Sequence, residues 1–139
     1  MEPAEASNPA TQAGKAASQL RKGVLEYCVL ALLRDGPRYA VELLRGLEAV
    51  ELMATSQGTV YPLLSRLRRD ELVATNWQES TSGPPRRYYE LTPTGRAALD
   101  AFAAIWPDFR DAVDLFLGTP RSDPSHPPMK HLKEQREDR

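Results

Sequence analysis

Apolar side chains at Val60, Leu63, Leu64 and Leu67 recur at i, i+3, i+4 and i+7, so residues 56–70, SQGTVYPLLSRLRRD, carry one apolar stripe of a helix. At about 100° per residue, Gly58, Pro62, Ser65 and Arg69 fall on the opposite side, flanked by Tyr61, Arg66 and Arg68. One face is apolar. The other is small, polar and basic, with no carboxylate before Asp70. A helix laid against phosphates needs such a face. Ser56 is the expected N-cap. Pro62 then lies in the second turn and costs the bond to the Gly58 carbonyl, unless the start is ragged, with Thr59 as a second cap. Either way the helix start is expected to bend.

The same periodicity places the other elements around this stretch. A first helix is expected over residues 18–34, capped by Ser18. Leu20, Val24, Tyr27, Cys28 and Ala31 form one stripe, and Leu25, Val29, Leu32 and Leu33 a second. Two apolar faces imply burial on both sides, one against the chain's own domain and the other against a second subunit. After the turn Asp35-Gly36-Pro37, a second helix over 39–51 has Ala40, Leu43, Leu44 and Leu47 in the same spacing. A short link to Ser56 makes the pair a loose helix-turn-helix. Residues 72–77 read as a strand with Val73, Thr75 and Trp77 on one face. Residues 79–85 read as a polar loop, and 86–91, RRYYEL, as a returning strand. Thr92-Pro93 is an N-cap followed by proline at N1, opening a fourth helix to Leu117 with Gly118 beyond its end and a kink expected before Pro107. Its stripe of Leu99, Phe102, Ala103, Trp106, Phe109, Val113, Phe116 and Leu117 exceeds what so small a domain needs for its own core, and so points to a subunit interface.

The expected architecture is therefore mainly α, a winged helix. It has a three-helix helix-turn-helix core, a two-stranded β-wing and a long C-terminal dimerisation helix. The bounds are 1–17 for an unstructured tail, 18–92 for the winged domain, 93–118 for the dimerisation helix and 119–139 for a second unstructured tail.

Charge changes this picture in one respect. The 139 residues hold 18 basic and 19 acidic side chains, a net charge of −1, whereas nucleic-acid readers are often strongly basic. Any such role must rest on local clustering. Asp100, Asp108, Asp111 and Asp114 make the fourth helix acidic and argue against its touching DNA. The single cysteine, Cys28, cannot form an internal disulfide and reads as a packed thiol. With no apolar run of about 18–20 residues and no signal-peptide layout, a reducing, cytoplasmic setting is expected. His126 and His131 lack metal-site spacing, and no nucleophile–base pair or phosphate-cradling glycine loop is visible. No catalysis, metal or cofactor is expected.

The wording of four stretches goes further. LRKGVLEYCVLALL, YAVELLRGL, SQGTVYPLLSRLRRDELV and SGPPRRYYELTPTGRAAL resemble, in order and spacing, the PadR family of transcriptional regulators, over about residues 20–117. The resemblance implies a homodimer on a roughly palindromic operator, with helix 3 in the major groove and the wing on the flanking backbone. It also implies a C-terminal helix packed on the partner's N-terminal helix, and a repressor released by a small, often aromatic, effector. One departure is visible. Where the family usually reads Tyr-Gly-Tyr-Glu-Leu, this chain has Tyr39-Ala40-Val41-Glu42-Leu43, so the second tyrosine is missing.

The candidate double-stranded-DNA contacts are Tyr39, Ser56, Gly58, Thr59, Tyr61, Pro62, Ser65, Arg66 and Arg69, with Arg86, Arg87 and Tyr88 of the wing. Ser56 and Thr59 lie where free N–H groups favour a phosphate. Tyr61 and Ser65 can donate to phosphate or base edges, and the arginines can reach phosphate or guanine. Arg68, nearer the core edge, is expected to pair with Asp70 or Glu71. The candidate subunit interface is Leu20, Val24 and Tyr27 with Leu99, Phe102, Trp106, Phe109, Val113, Phe116 and Leu117, of which Phe102, Trp106 and Phe109 could line an effector pocket. A winged-helix protein-interaction module without DNA binding is the alternative, and the salt dependence of DNA binding separates the two.

Overall fold

The leucine stripes meet around the third helix. In a computed structural model describing residues 8–118, the elements run α1 (Pro9–Leu32), β1 (Arg38–Tyr39), α2 (Ala40–Glu48), a 3-10 turn (Glu51–Met53), α3 (Gln57–Arg69), β2 (Val73–Ser80), β3 (Gly83–Leu91) and α4 (Pro93–Leu117). Residues 1–7 and the C-terminal tail at 119–139, with His126 and His131, lie outside the described residues. The chain divides into two compact units, one ending at Leu99 and one starting at Asp100. In the first unit all four stripe residues of α3 are buried, together with Leu25, Val29, Leu30 and Leu33 of α1 and the turn after it, Leu43 and Leu47 of α2, and Val73 and Tyr89 of the sheet. The fold is a winged helix, mainly helical with a small antiparallel sheet.

Several expectations need correcting. First, α1 starts at Pro9 and not after Ser18. The Asn8 side chain accepts from the Ala10 N–H at 2.8 Å, and proline stands in the first turn. The stretch has no apolar stripe, but alanine, glutamine and lysine sustain a helix by propensity alone. Second, the sheet has three strands in the order β1-β3-β2, with Arg38 opposite Tyr89 and Tyr39 opposite Tyr88. Two residues are too few to show a period. Third, the expected loop at 79–85 is mostly strand. β2 and β3 pair through Gln78–Arg86 and Ser80–Gly83 with a register shift between them. Pro84 and Pro85 lie beyond the reach of β1, beside this irregularity, where a missing N–H is tolerated. Fourth, Leu99, expected at the subunit interface, is only 4% exposed and packs in the core of its own unit. The second helix also ends at Glu48, earlier than expected, with the 3-10 turn filling the connection.

The end of α3 shows how tightly the junctions are built. The Leu72 N–H donates to the Leu67 carbonyl at 2.9 Å, and the Glu71 N–H to the Arg68 carbonyl at 3.0 Å. This is a Schellman cap, with Glu71 at φ 64 where glycine is usual. Replacing Glu71 with glycine should stabilise the protein by about 0.5–1 kcal/mol by relieving the left-handed backbone. A denaturant midpoint that stays level or falls would show that this conformation carries no such cost.

The same turn abuts the start of α4. Thr92 Oγ1 accepts from the Gly95 N–H at 2.9 Å, the expected cap, and donates to the Glu71 carbonyl at 2.7 Å. Gly95 is buried against the Leu72 carbonyl, closely enough that a Cβ would overlap it. At its other end α4 closes on Gly118 at φ 72, whose N–H donates to the Asp114 carbonyl at 3.0 Å. The end of α1 is held by cations: Arg38 Nε donates to the Leu32 carbonyl at 2.8 Å, and Arg96 Nη2 to the Arg34 carbonyl at 3.2 Å. Cys28 packs against the core, and burial raises the pKa of its thiol, which favours the protonated form.

Candidate nucleic-acid interface

The stripe that buries Val60, Leu63, Leu64 and Leu67 turns Gly58, Tyr61, Pro62, Ser65, Arg68 and Arg69 outward, and all six are exposed. Pro62 stands inside the helix. Ser56 caps the helix through its backbone: its carbonyl accepts from Thr59 and Val60 at 3.0 Å each, and its side chain makes no cap bond. The first N–H groups of the helix are therefore left for an outside acceptor.

The two flanks of α3 differ. On the wing side runs an open groove of about 430 Å³ lined by Tyr39, Tyr61, Ser65, Trp77, Arg86 and Arg87 among others. The sheet register explains how these meet. Tyr39 and Tyr88 face each other across β1 and β3, and Trp77 and Arg87 across β2 and β3, so each pair shares a face of the sheet. The Arg86 guanidinium stacks over the Tyr39 ring at 4.4 Å, and Tyr39 meets Tyr88 edge-on at 5.5 Å. The Arg87 guanidinium lies over Trp77 at 5.1 Å. Each arginine thus rests on a neutral ring that steadies it without cancelling its charge. Trp77, 64% exposed, was not among the expected contact residues. Its signal was present in the period-two alternation after Val73 and Thr75, which carries the same face past the end of the core.

On the α1 side Arg66 and Arg21 are already engaged. Arg66 Nη2 donates to Glu26 Oε1 of α1 at 3.0 Å, and Nη1 lies 4.0 Å from Asp70 Oδ2. Among the described residues it is Arg66, not Arg68, that reaches Asp70. Arg21 Nη1 donates to the Leu52 carbonyl at 2.7 Å, tying α1 to the connection before α3. Of the expected contact set, the structure brings Tyr39, Tyr61, Ser65, Arg86 and Arg87 to one groove. Gly58, Pro62 and Arg69 lie on the outer face of α3, and Thr59 and Arg66 on the α1 flank.

Within the second unit, Phe102 and Trp106 stack at 5.6 Å with 24° between their planes. Phe109, Val113, Leu117 and Phe116 are exposed, the last by 90%. Leu20 of α1 is exposed too, and Val24 and Tyr27 of the same helix complete the expected stripe. No helix among the described residues is long and apolar enough to cross a membrane.

The chain matches the model of the transcriptional regulator PadR-like family over residues 29–101. It is similar in structure to a PadR-like transcription factor from Bacteroides fragilis, with 41% identity, 73% of this chain and 98% of that one covered, and a TM-score of 0.60. It is also similar to a PadR family transcriptional regulator from Eggerthella lenta, with 33% identity, coverage of 76% and 92%, and a TM-score of 0.67. A transcriptional regulator of Mycobacterium tuberculosis is 50% identical over 44 residues, which are 32% of this chain and 40% of that protein.

Proposed function

Because this chain belongs to the PadR-like family of transcriptional regulators, we propose that it represses transcription as a homodimer bound to a palindromic operator. In this reading α3 enters the major groove and the wing follows the flanking backbone. Ser56, Gly58 and Thr59 offer the helix start to a phosphate, and Pro62 leaves the outer face narrow enough for close approach. Tyr61, Ser65 and Arg69 face base edges, while Arg86 and Arg87, with Tyr39 and Tyr88 beside them, hold phosphates. The observation that carries the reading is the groove in which two arginines rest on aromatic rings beside the carboxylate-free face of α3. Selection of bound duplexes from a random pool tests it. An enriched palindrome would give the operator and, from its half-site spacing, the dimer geometry. A pool that yields no preferred sequence would favour a protein-interaction module.

The second subunit is proposed to cover Phe109, Val113, Phe116 and Leu117 of α4, apolar groups that otherwise stay in water at about 25 cal/mol per Å². Trp106→Asp should therefore dissociate the dimer, seen as a halved mass in sedimentation. A dimer that survives this change would remove α4 from the interface. The stacked pair Phe102 and Trp106, with Phe109, is the proposed seat of a small apolar or aromatic effector that releases the operator.

A further inference from the structure

Resting on the reading of α3 as the DNA-facing helix, we infer that Glu26 sets how strongly α3 attracts DNA regardless of sequence, by holding Arg66 on α1 and away from the phosphates. Arg66 is then a positioning residue and not a DNA contact. Its Nη2 donates to Glu26 Oε1 at 3.0 Å, an ordinary N–H···O hydrogen-bond distance between opposite charges, and Asp70 stands 4.0 Å from Nη1. The carboxylate is the better anchored partner, with its side chain 23% exposed against 45% for Arg66. Glu26 and Asp70 flank the guanidinium, which is therefore already partnered although Arg21 and Lys22 of α1 line the same surface. A phosphate approaching Arg66 would have to displace Glu26 and then lie beside it.

The opposite flank is built the other way. Arg86 and Arg87 lie on the rings of Tyr39 and Trp77, which orient them and leave their charge whole. The wing side therefore supplies attraction, and the α1 side fixes direction. Arg66 sits in the last turn of α3, so its tie to α1 limits rotation of α3 about its own axis. That rotation decides where Ser65 and Arg69, its neighbours on the outer face, are aimed. Arg21, bound to the Leu52 carbonyl, tethers the entrance to the same helix. By neutralising one of the three arginines of α3, Glu26 lowers binding to arbitrary DNA while the same tie keeps Ser65 and Arg69 aimed.

The test is fluorescence anisotropy of the full-length protein on a labelled random-sequence duplex, between about 50 and 200 mM salt. Glu26→Gln keeps the size of the side chain and frees the guanidinium. It should bind several-fold more tightly at the low end, with a log–log salt slope steeper by about 0.9, one additional phosphate. Arg66→Met should leave the parent slope unchanged, and the double variant should return to it. On the selected operator, Arg66→Met should lose affinity and Arg66→Lys should recover part of it, since an ammonium can still meet Glu26. A slope flattened by about 0.9 in Arg66→Met would mean that Arg66 already contacts a phosphate, and would overturn the inference. So would a Glu26→Gln slope equal to the parent's. Either result leaves the DNA-binding reading intact if the parent slope is steep. A parent with no salt-dependent binding would remove both.

Discussion

Alanine at both Arg86 and Arg87 is expected to lower affinity for duplex DNA by about 100-fold at moderate salt, and to flatten the log–log salt slope by about 1.8. Two phosphates would each forfeit a charge-assisted hydrogen bond of about 1.5 kcal/mol, or roughly a factor of ten apiece. What makes these two arginines better candidates than the others among the described residues is their support. Arg86 lies 4.4 Å from the Tyr39 centroid and Arg87 5.1 Å from that of Trp77, so neither side chain must be immobilised from a fully free state when it binds. The partner beneath each is a neutral ring, so the positive charge stays available to a phosphate. The fold should hardly notice the change, because a cation–π interaction at an exposed site stabilises by only about 0.5–1 kcal/mol. Anisotropy titrations across salt, with a thermal melt as control, measure both parts. An unchanged slope would move the phosphate contacts away from the wing.

Gly95→Ala should cost about 2–4 kcal/mol and lower the melting temperature by roughly 10–20 °C. The cause is geometric. A Cβ at Gly95 would overlap the Leu72 carbonyl oxygen and press on its carbon at 2.9 Å and on Leu91 Cδ2 at 3.2 Å. The flexible leucine tip can yield, but the carbonyl cannot easily do so. Leu72 follows the Schellman cap of α3 and accepts from the Thr92 N–H at 3.2 Å, while the Thr92 hydroxyl binds Glu71 on one side and Gly95 on the other. Moving α4 away to make room would strain the two bonds that Thr92 makes to Leu72 and Glu71. Circular dichroism melts decide the matter, and a variant that unfolds within about 3 °C of the parent would show that the junction is looser than its geometry implies.

Much of this arrangement is legible in the sequence. The stripe of α3 forecast all four of its buried residues, and Thr92-Pro93 and Gly118 marked the ends of α4, because these signals are local and repeat within a few residues. What stayed hidden depends on partners far along the chain or on signals with no period. β1 has two residues and exists only because β3 is there to pair with it. The first turns of α1 carry no apolar pattern and follow from Asn8 and backbone propensity. Pro84 and Pro85 argued for a loop, and the short reach of β1 together with the register shift against β2 explains why a strand accepts them. At the candidate interface, periodicity put Arg66 and Arg69 together on one basic face. It could not show that Glu26, 40 residues earlier, meets Arg66 rather than Arg69. Nor could it show that Trp77 would stand under Arg87, since that needs the register of the hairpin as well as its existence.

The two-residue strand β1 also bears on how the protein comes together in time. The β2–β3 hairpin closes locally, but Arg38 and Tyr39 must find partners about fifty positions away, a slow and entropically costly search. Tyr39 is the ring beneath Arg86, so the groove gains its final shape only when this last and most distant pairing has formed. The helical core can be complete before then, and β1 can fray while the core persists. Competence to grip DNA should therefore lag behind the helical signal during refolding and be lost ahead of it during gentle denaturation.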